Sequence, residues 1–317
     1  MSGQTAAAFE ALRHYDVAPR RVVLAAKSFN SIFRVTAVSA SYALRVGAAL
    51  QIHPEGTAAV EAAWHRRLRQ HGLWVPDVLP NKDGELTTLV ENCDAGCGSR
   101  VCLLFEWVTG RSLRTCLTER RAVALGRLSA RLQRDAAEWS PPGARDVLRA
   151  DRVLYWQLPD QLAAAEARFG LGTVFTDAAA RAQAVIDWLW HNPPHEPHLV
   201  HGDLTPQNVI FSRVHGLVPI DFQDTVQGFE IQDLSITVAA IRRFPDPDRL
   251  TDAFCAGYSE VRPWPDVSPA LLDSLITARG LHQMNLTLNM TDMADADAYV
   301  AHHADRARAW MGRPTGL

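Results

Sequence analysis

The sequence predicts an α+β protein of two lobes: a β-rich N-terminal lobe carrying one internal helix, and a larger, mainly helical C-terminal lobe. Three observations predict it. Short apolar runs separated by turn residues crowd residues 1–107, with a single helical pattern among them. Long Ala/Leu/Arg-rich helical patterns fill residues 111–190 and return over residues 230–317. Between these two helical stretches the chain reverts to brief strand-like runs around a polar loop.

In chain order, residues 6–15 read as a short helix. VVLAAKSFNSIFRV then reads as an apolar strand, a break from Lys27 to Asn30, and a second strand. TAVSASYALRV adds a turn and a third strand, in which Tyr42, Leu44 and Val46 alternate with Ala43 and Arg45. From Gly56 to His71 the spacing is helical, with Val60, Trp64 and Leu68 on one face and a stop at Gly72 and Pro76. LTTLVEN and RVCLLFEWV are two further strands, and the pattern changes after TGRSL. The expected domains are residues 1–107 and residues 108–317. In the second, RAVALGRLSARLQRDAAEW, LPDQLAAAEARF and AAARAQAVIDWLWH are helical, broken at SPPGARD and NPPHEPH because proline cannot continue a helix. HLV, VIF and LVPIDF then read as three short strands.

Composition narrows the function classes. At 317 residues the chain has reached the size at which one core tends to split. A formal net charge of −3 argues against nucleic acid as a partner. No run reaches the ~18 consecutive apolar residues of a membrane span, and the N-terminus has no basic-then-apolar signal. The expectation is a cytoplasmic protein with no membrane association and no obligatory protein partner. Lys27 and Lys82 are its only lysines. Of the cysteines Cys93, Cys97, Cys102, Cys116 and Cys255, three fall within ENCDAGCGSRVC. They lack paired C-x-x-C spacing and a nearby His, which favours reduced thiols over a zinc site.

The chemistry concentrates in HLVHGDLTPQNVIF and the strand after it. Asp203 and Asn208 lie five positions apart on a short loop, and Asp221 follows thirteen positions later. Alone, the first two suit an ordinary Asx-rich turn. With Asp221, however, Asn208 offers the hard oxygen donors that Mg²⁺ prefers, while Asp203 is left to hydrogen-bond an acceptor hydroxyl. That division of labour is phosphoryl transfer. His201-Gly202-Asp203-Leu204 with Asn208, then Asp221-Phe222, parallels the kinase signature H-R-D-L-x-x-x-N and D-F-G, with Gln223 in place of the glycine. His201 reads as a prop for the loop, and Asp233 as a helix cap or loop brace.

HGDLTPQNVIF…PIDFQDTVQGFEIQDLS resembles the aminoglycoside phosphotransferase and choline kinase-like family of small-molecule kinases, which share the protein-kinase fold. NSIFRVTAVSASYALRV, VEAAWHRRLRQHGLWVPDVL and LLFEWVTGRSL extend the resemblance over residues 28–240. It implies a bilobal protein-kinase-like fold, a nucleotide-binding lobe over residues 1–107, and a catalytic and acceptor-binding lobe over residues 108–317. It also implies ATP and Mg²⁺ as cofactors and a small-molecule hydroxyl as acceptor. Asp203 would be the catalytic base, and Asn208 and Asp221 the metal ligands. Arg45 stands where V-A-I-K has its lysine and would grip phosphate, with Glu61 holding it and Lys27 the nearby alternative. AAKSFN replaces a glycine-rich loop, leaving Ser28 and Asn30 as phosphate donors, and Glu106 and Trp107 would form the hinge against adenine.

The acceptor site is expected after Asp221, at Asp224 and Glu230, with Tyr155 and Trp156 stacking on a ring or filling the core. Asp292, Asp295 and Asp297 read first as a solvated helix face and second as a patch for a cationic substrate. The resemblance implies an antibiotic acceptor, either an aminoglycoside or a nucleoside or sugar type. A metabolic kinase of homoserine or another amino alcohol is the alternative, and a nucleotide-binding pseudokinase a second one.

Overall fold

The structure, a computed structural model, describes residues 3–91, 99–290 and 296–315. In chain order its elements begin with α1 (Gly3–Leu12), β1 (Arg21–Lys27), β2 (Ser31–Thr36), β3 (Ser41–Val46), α2 (Thr57–Gln70), β4 (Val78–Leu79), β5 (Thr88–Val90), β6 (Arg100–Glu106) and β7 (Arg111–Ser112). They continue with α3 (Glu119–Ala137), α4 (Leu162–Phe169), α5 (Val174–His191), β8 (His198–Val200), β9 (Val209–Ser212), β10 (Gly216–Pro219), β11 (Val226–Gly228), α6 (Glu230–Ile241), α7 (Pro247–Ser259), α8 (Pro269–Asn289) and α9 (Ala296–Met311). The α+β class read from the sequence holds. The chain divides into two compact units.

The first unit comprises residues 1–116, 141–146 and 207–223. Its main sheet is antiparallel in the order β1-β2-β3-β6-β4, with β5 also paired to β6. The period of two along β2 and β3 sends Phe33, Val35, Leu44 and Val46 to one face, where Ala7, Ala8, Ala11 and Leu12 of α1 cover them. On the other face, Ala62 of α2 packs with Val78, Leu103 and Phe105. β1 pairs only with β2 and slips register between Leu24 and Ala26. Its apolar run is therefore an edge, with Val23 and Leu24 exposed rather than in the core. A second antiparallel sheet, β10-β9-β7, completes this unit.

The second unit comprises residues 117–140, 147–206 and 224–317. Helices α3 to α9 belong to it, together with the antiparallel β8–β11 ladder that pairs Val226 with Val200 and Gly228 with His198. Phe175, Ile186, Phe229, Leu275, Leu281 and Met284 lie at the centre of its core. The helical reading of residues 111–190 was too generous. Residues 147–161 form no helix, and α4 starts only at Leu162, three residues past Pro159. Among the described residues no helix is long and apolar enough to cross a membrane.

The helices α3 and α7 meet backbone to backbone. A Cβ on Gly126 would sit 2.0 Å from the Phe254 carbonyl oxygen, and one on Gly257 would sit 2.0 Å from that of Val123. Neither neighbour is a side chain that can swing away, so the two helices would have to separate. Gly126→Ala is accordingly expected to destabilise the protein by about 1–3 kcal/mol despite alanine's better helix propensity. Chemical denaturation of the variant beside wild type measures it, and an unchanged or raised midpoint contradicts the close approach.

Candidate active site

Within the first unit, the alternation of β3 turns Arg45 to the α2 face of the sheet, opposite Leu103 of β6. The guanidinium meets Glu61 in a two-pronged pair, Nη1 to Oε1 at 2.8 Å and Nη2 to Oε2 at 2.5 Å. Arg45 is 6% exposed and Glu61 1%. Removing either partner strands a buried charge, a loss of about 3–5 kcal/mol. The same Nη1 lies 3.4 Å from Oδ1 of Asp221, so the arginine also faces that carboxylate.

Asp221 takes a left-handed backbone, φ 63°. Its neighbour Phe222 is fully buried, edge-on to Trp64 at 5.2 Å and to His65 at 4.5 Å. Burial lowers the His65 pKa, which suits a neutral ring whose Nδ1–H donates to the Pro76 carbonyl at 2.7 Å. One helix thus holds Arg45 through Glu61 and Phe222 through Trp64 and His65. Asn208 is delivered beside Asp221 by the β9–β10 ladder, whose pairing of Val209 with Pro219 continues as the Ile220 N–H donating to the Asn208 carbonyl at 2.9 Å.

Asn30 is 5% exposed. Its side-chain amide donates to Gln223 Oε1 and its Oδ1 accepts from the Ala48 N–H at 3.3 Å. The Ser28 N–H donates to the Asn30 carbonyl at 2.9 Å and closes the turn. Asn30, Arg45, Glu61, His53 and Gln223 line one pocket; Ser28, Glu106 and Trp107 lie outside that lining. The Glu106 carboxylate accepts from Arg69 at 2.7 Å and from the Asp77 N–H at 3.1 Å. The Glu106 and Trp107 N–H groups donate to Asp77 and Ser41 carbonyls, and the Trp107 ring lies 4.8 Å from the Arg34 guanidinium.

Within the second unit, β8 runs directly into the His201–Asp203 loop. Gly202 adopts φ 75°, and a Cβ there would lie 2.0 Å from the Asp224 carbonyl oxygen, so only glycine fits between His201 and Asp203. Its N–H donates to Asp233 Oδ1 at 2.9 Å, making Asp233 a brace of this loop. Gln133 donates to the other Asp233 oxygen at 3.4 Å and accepts from the Tyr258 hydroxyl at 2.7 Å. Burial, only partly offset by these hydrogen bonds, pushes Asp233 up to about 6. His201 is 1% exposed, and its Nδ1 accepts from the Asp203 N–H at 3.3 Å, a propping contact.

The sequence reading missed Arg279 of α8. It donates to Asp203 Oδ1 at 3.1 Å and to the Tyr155 hydroxyl at 3.1 Å, and lies 3.5 Å from Asp224 Oδ2. Burial pushes the Tyr155 phenol up to about 12, keeping it a neutral acceptor. Tyr155 stacks on His282 at 3.9 Å, and buried Trp156 packs against the same ring and beneath Arg279. The only sequence signal for Arg279 is a charge set among Leu275, Ala278, Leu281 and His282, positions that all prove buried.

Asp203, Asp224, Tyr155 and Trp156 therefore converge on one arginine, whereas Glu230 joins a different group, with His195 and Arg262. Asp297 is exposed, 3.9 Å from Arg168; Asp292 and Asp295 lie outside the described residues. So do Cys93 and Cys97, while Cys102 is buried on β6 with its thiol pushed up to about 12 by burial.

A profile described as the phosphotransferase enzyme family matches residues 22–269. An uncharacterised protein of Deinococcus radiodurans is 31% identical over 248 residues, 71% of this chain; the matched stretch spans 66% of that relative's length. The fold is similar to that of a microcompartment-associated aminopropanol kinase, with TM-score 0.78, 24% identity and 99% of each chain covered. It is also similar to an amicoumacin kinase solved with AMP-PNP, Ca²⁺ and Ami, with TM-score 0.75, 20% identity and coverage of 99% of this chain and 95% of that one. A spectinomycin phosphotransferase solved with ADP and spectinomycin has TM-score 0.62, 11% identity and 99% coverage of both chains. The protein-kinase-like fold implied by the sequence is thereby established.

The raised Asp233 carboxyl has a signed consequence. Its neutral form is favoured in the folded state, so the stability it contributes is complete at acid pH and is lost as pH rises from about 4 through about 6. Asp233→Asn, which stays neutral, should therefore gain on wild type by on the order of 3 kcal/mol between pH 4 and pH 7. Urea unfolding of both proteins across that range measures the difference. A constant gap means that the carboxyl titrates normally.

Proposed function

We propose that this chain, which belongs to the phosphotransferase enzyme family, transfers the γ-phosphate of ATP to a hydroxyl of a small molecule. The observation that carries the reading is the Arg45 fork, locked by Glu61 and turned toward Asp221. A phosphate chain needs a fixed cation and metal-holding oxygens side by side, and these residues supply both. Asn208 and Asp221 would hold the Mg²⁺. Their hard oxygens and their adjacency across the Ile220–Asn208 hydrogen bond fit it. When bound, the ion neutralises charge on the phosphates.

Asp203 takes the acceptor proton. The acceptor oxygen then forms its bond to the γ-phosphorus in line as the bond to the β-phosphate oxygen breaks, with no covalent enzyme intermediate. Residues 1–107 bind nucleotide, and residues 108–317 carry catalysis and acceptor recognition. Asn30, tied to Gln223 and Ala48, shapes the turn that Ser28 opens toward phosphate. Because the Glu106 and Trp107 amides are engaged, the hinge offers adenine their carbonyls and the residues that follow. A kinase of this kind works where ATP is, in the cytoplasm.

Arg279 refines the acceptor class. It orients Asp203 through the 3.1 Å contact, and it offsets the charge of Asp203 and Asp224 together. Carboxylates so neutralised are poor receptors for a polycation. Among antibiotic acceptors, a nucleoside or sugar type therefore fits better than a highly charged aminoglycoside. An amino alcohol with a single amine is the second reading, supported by the fold shared with an aminopropanol kinase. The presence of Asp203, Asn208 and Asp221 argues against a pseudokinase.

An ADP-release screen with Mg²⁺ and ATP over aminoglycosides, nucleoside antibiotics, homoserine, choline and aminopropanol tests the reading. Turnover is expected with a neutral or singly charged acceptor and is expected to fall on the order of 10²–10⁴-fold in Asp203→Asn, with ATP affinity retained. Near-wild-type turnover in that variant removes Asp203 from the role of base. Separately, Arg45→Ala should raise the KM for ATP; an unchanged value in a folded variant transfers the phosphate contact to Lys27.

A further inference from the structure

We propose that His195, His198 and Glu230 form a binding site for a borderline divalent metal ion of the Zn²⁺ type. One ligand atom from each lies within 4.8 Å of the others. Two imidazoles and a carboxylate are a donor set for Zn²⁺, Co²⁺ or Ni²⁺ rather than for Mg²⁺. The His195 side chain is 36% exposed, so water has access to this group.

Three details of the hydrogen bonding point to an ion. First, both nitrogens of His195 face acceptors: Nδ1 lies 2.7 Å from the Glu196 carbonyl oxygen and Nε2 lies 2.6 Å from Glu230 Oε2. A neutral imidazole has one N–H, so one of the two contacts requires an extra proton or a metal. A metal at Nε2 leaves Nδ1–H on the carbonyl, the outer bond that metal-bound histidines characteristically make. Second, His198 is 8% exposed, yet neither of its ring nitrogens has a hydrogen-bond partner among the described residues. Third, Arg262 engages Glu230 through Oε1 and leaves Oε2 to His195.

The placement gives the ion a task. His198 opens β8, three residues before His201, and Glu230 opens α6, three residues before Asp233. An ion at this point ties the strand that delivers the Asp203 loop to the helix whose Asp233 holds Gly202. On the phosphotransferase reading given above, it stiffens both anchors of the catalytic loop. None of the three ligands contacts Asp203, Asp224 or Tyr155 among the described residues.

Chelator-treated, desalted full-length protein titrated with Zn²⁺ by calorimetry, and with Co²⁺ by absorption, tests the site. One equivalent is expected in wild type and in Cys93→Ser/Cys97→Ser. Affinity should fall about 10- to 100-fold or more in His195→Ala and in His198→Ala, and the Co²⁺ spectrum should lack a thiolate charge-transfer band. His195 is partly exposed, so its variant should fold even if His198→Ala does not. Chelator should lower the wild-type melting temperature and leave that of His195→Ala unmoved.

Equal Zn²⁺ binding by wild type and His195→Ala overturns the proposal and leaves an imidazolium–carboxylate–guanidinium brace. A thiolate band lost with the cysteines overturns it in favour of the thiols. Failure of phosphoryl transfer with Zn²⁺ binding intact rejects the proposed reaction and leaves the metal site standing.

Discussion

The buried pair of Arg45 and Glu61 is the constraint around which the first unit is arranged. A guanidinium and a carboxylate removed from water are tolerable only if each satisfies the other, and the two-pronged geometry does so. That requirement fixes the rotation of α2 against the sheet. With α2 so turned, Trp64 and His65 receive Phe222, and the β9–β10 ladder carries Asn208 up to Asp221. A change at the pair would therefore be felt at the Asp221 corner, far along the sequence.

The second unit solves a related problem with different means. Its loop leaves Asp203 half-buried while hiding nearly everything that holds it: Gly202 against the Asp224 carbonyl, its N–H on Asp233, His201 behind it, and the Leu204 carbonyl accepting from Thr237 at 2.6 Å. The loop is short, and its backbone groups are satisfied by buried side chains of α6. Preorganisation of this kind lets a carboxylate keep one orientation without a substrate present. Arg279 adds a cation whose own position is set by Tyr155 and Trp156.

Much of this was legible in the sequence, for identifiable reasons. Strand and helix periods mark the meander and α2 because β2, β3 and α2 each turn one face to the core, whereas the Arg45–Glu61 pair was implied by the resemblance to small-molecule kinases. Asp203, Asn208 and Asp221 announce themselves by spacing. Arg279 does not, since it lies 76 positions beyond Asp203 and contacts it only through the fold. The exposure of β1 was hidden because an edge strand and a central strand can carry the same apolar composition. Nor could the sequence say that the hinge amides of Glu106 and Trp107 would be taken, as backbone pairing leaves no mark on residue type. The irregular stretch 147–161 misled because its alanine- and leucine-rich flanks carry a helical pattern and Pro159 is the one breaker inside it.

Gln223 has a consequence for how the Asp-Phe corner can move. A glycine after Asp-Phe would let the corner swivel and the phenyl ring leave its slot, which is a ready-made off position. Here Phe222 is wedged between two aromatic rings while Gln223, with a side chain in glycine's place, is fastened to Asn30. Both sides of the corner are pinned. A corner held on both sides has little room to swing out of place, so the Asp-Phe pair is a fixed part of the first unit rather than a hinge within it.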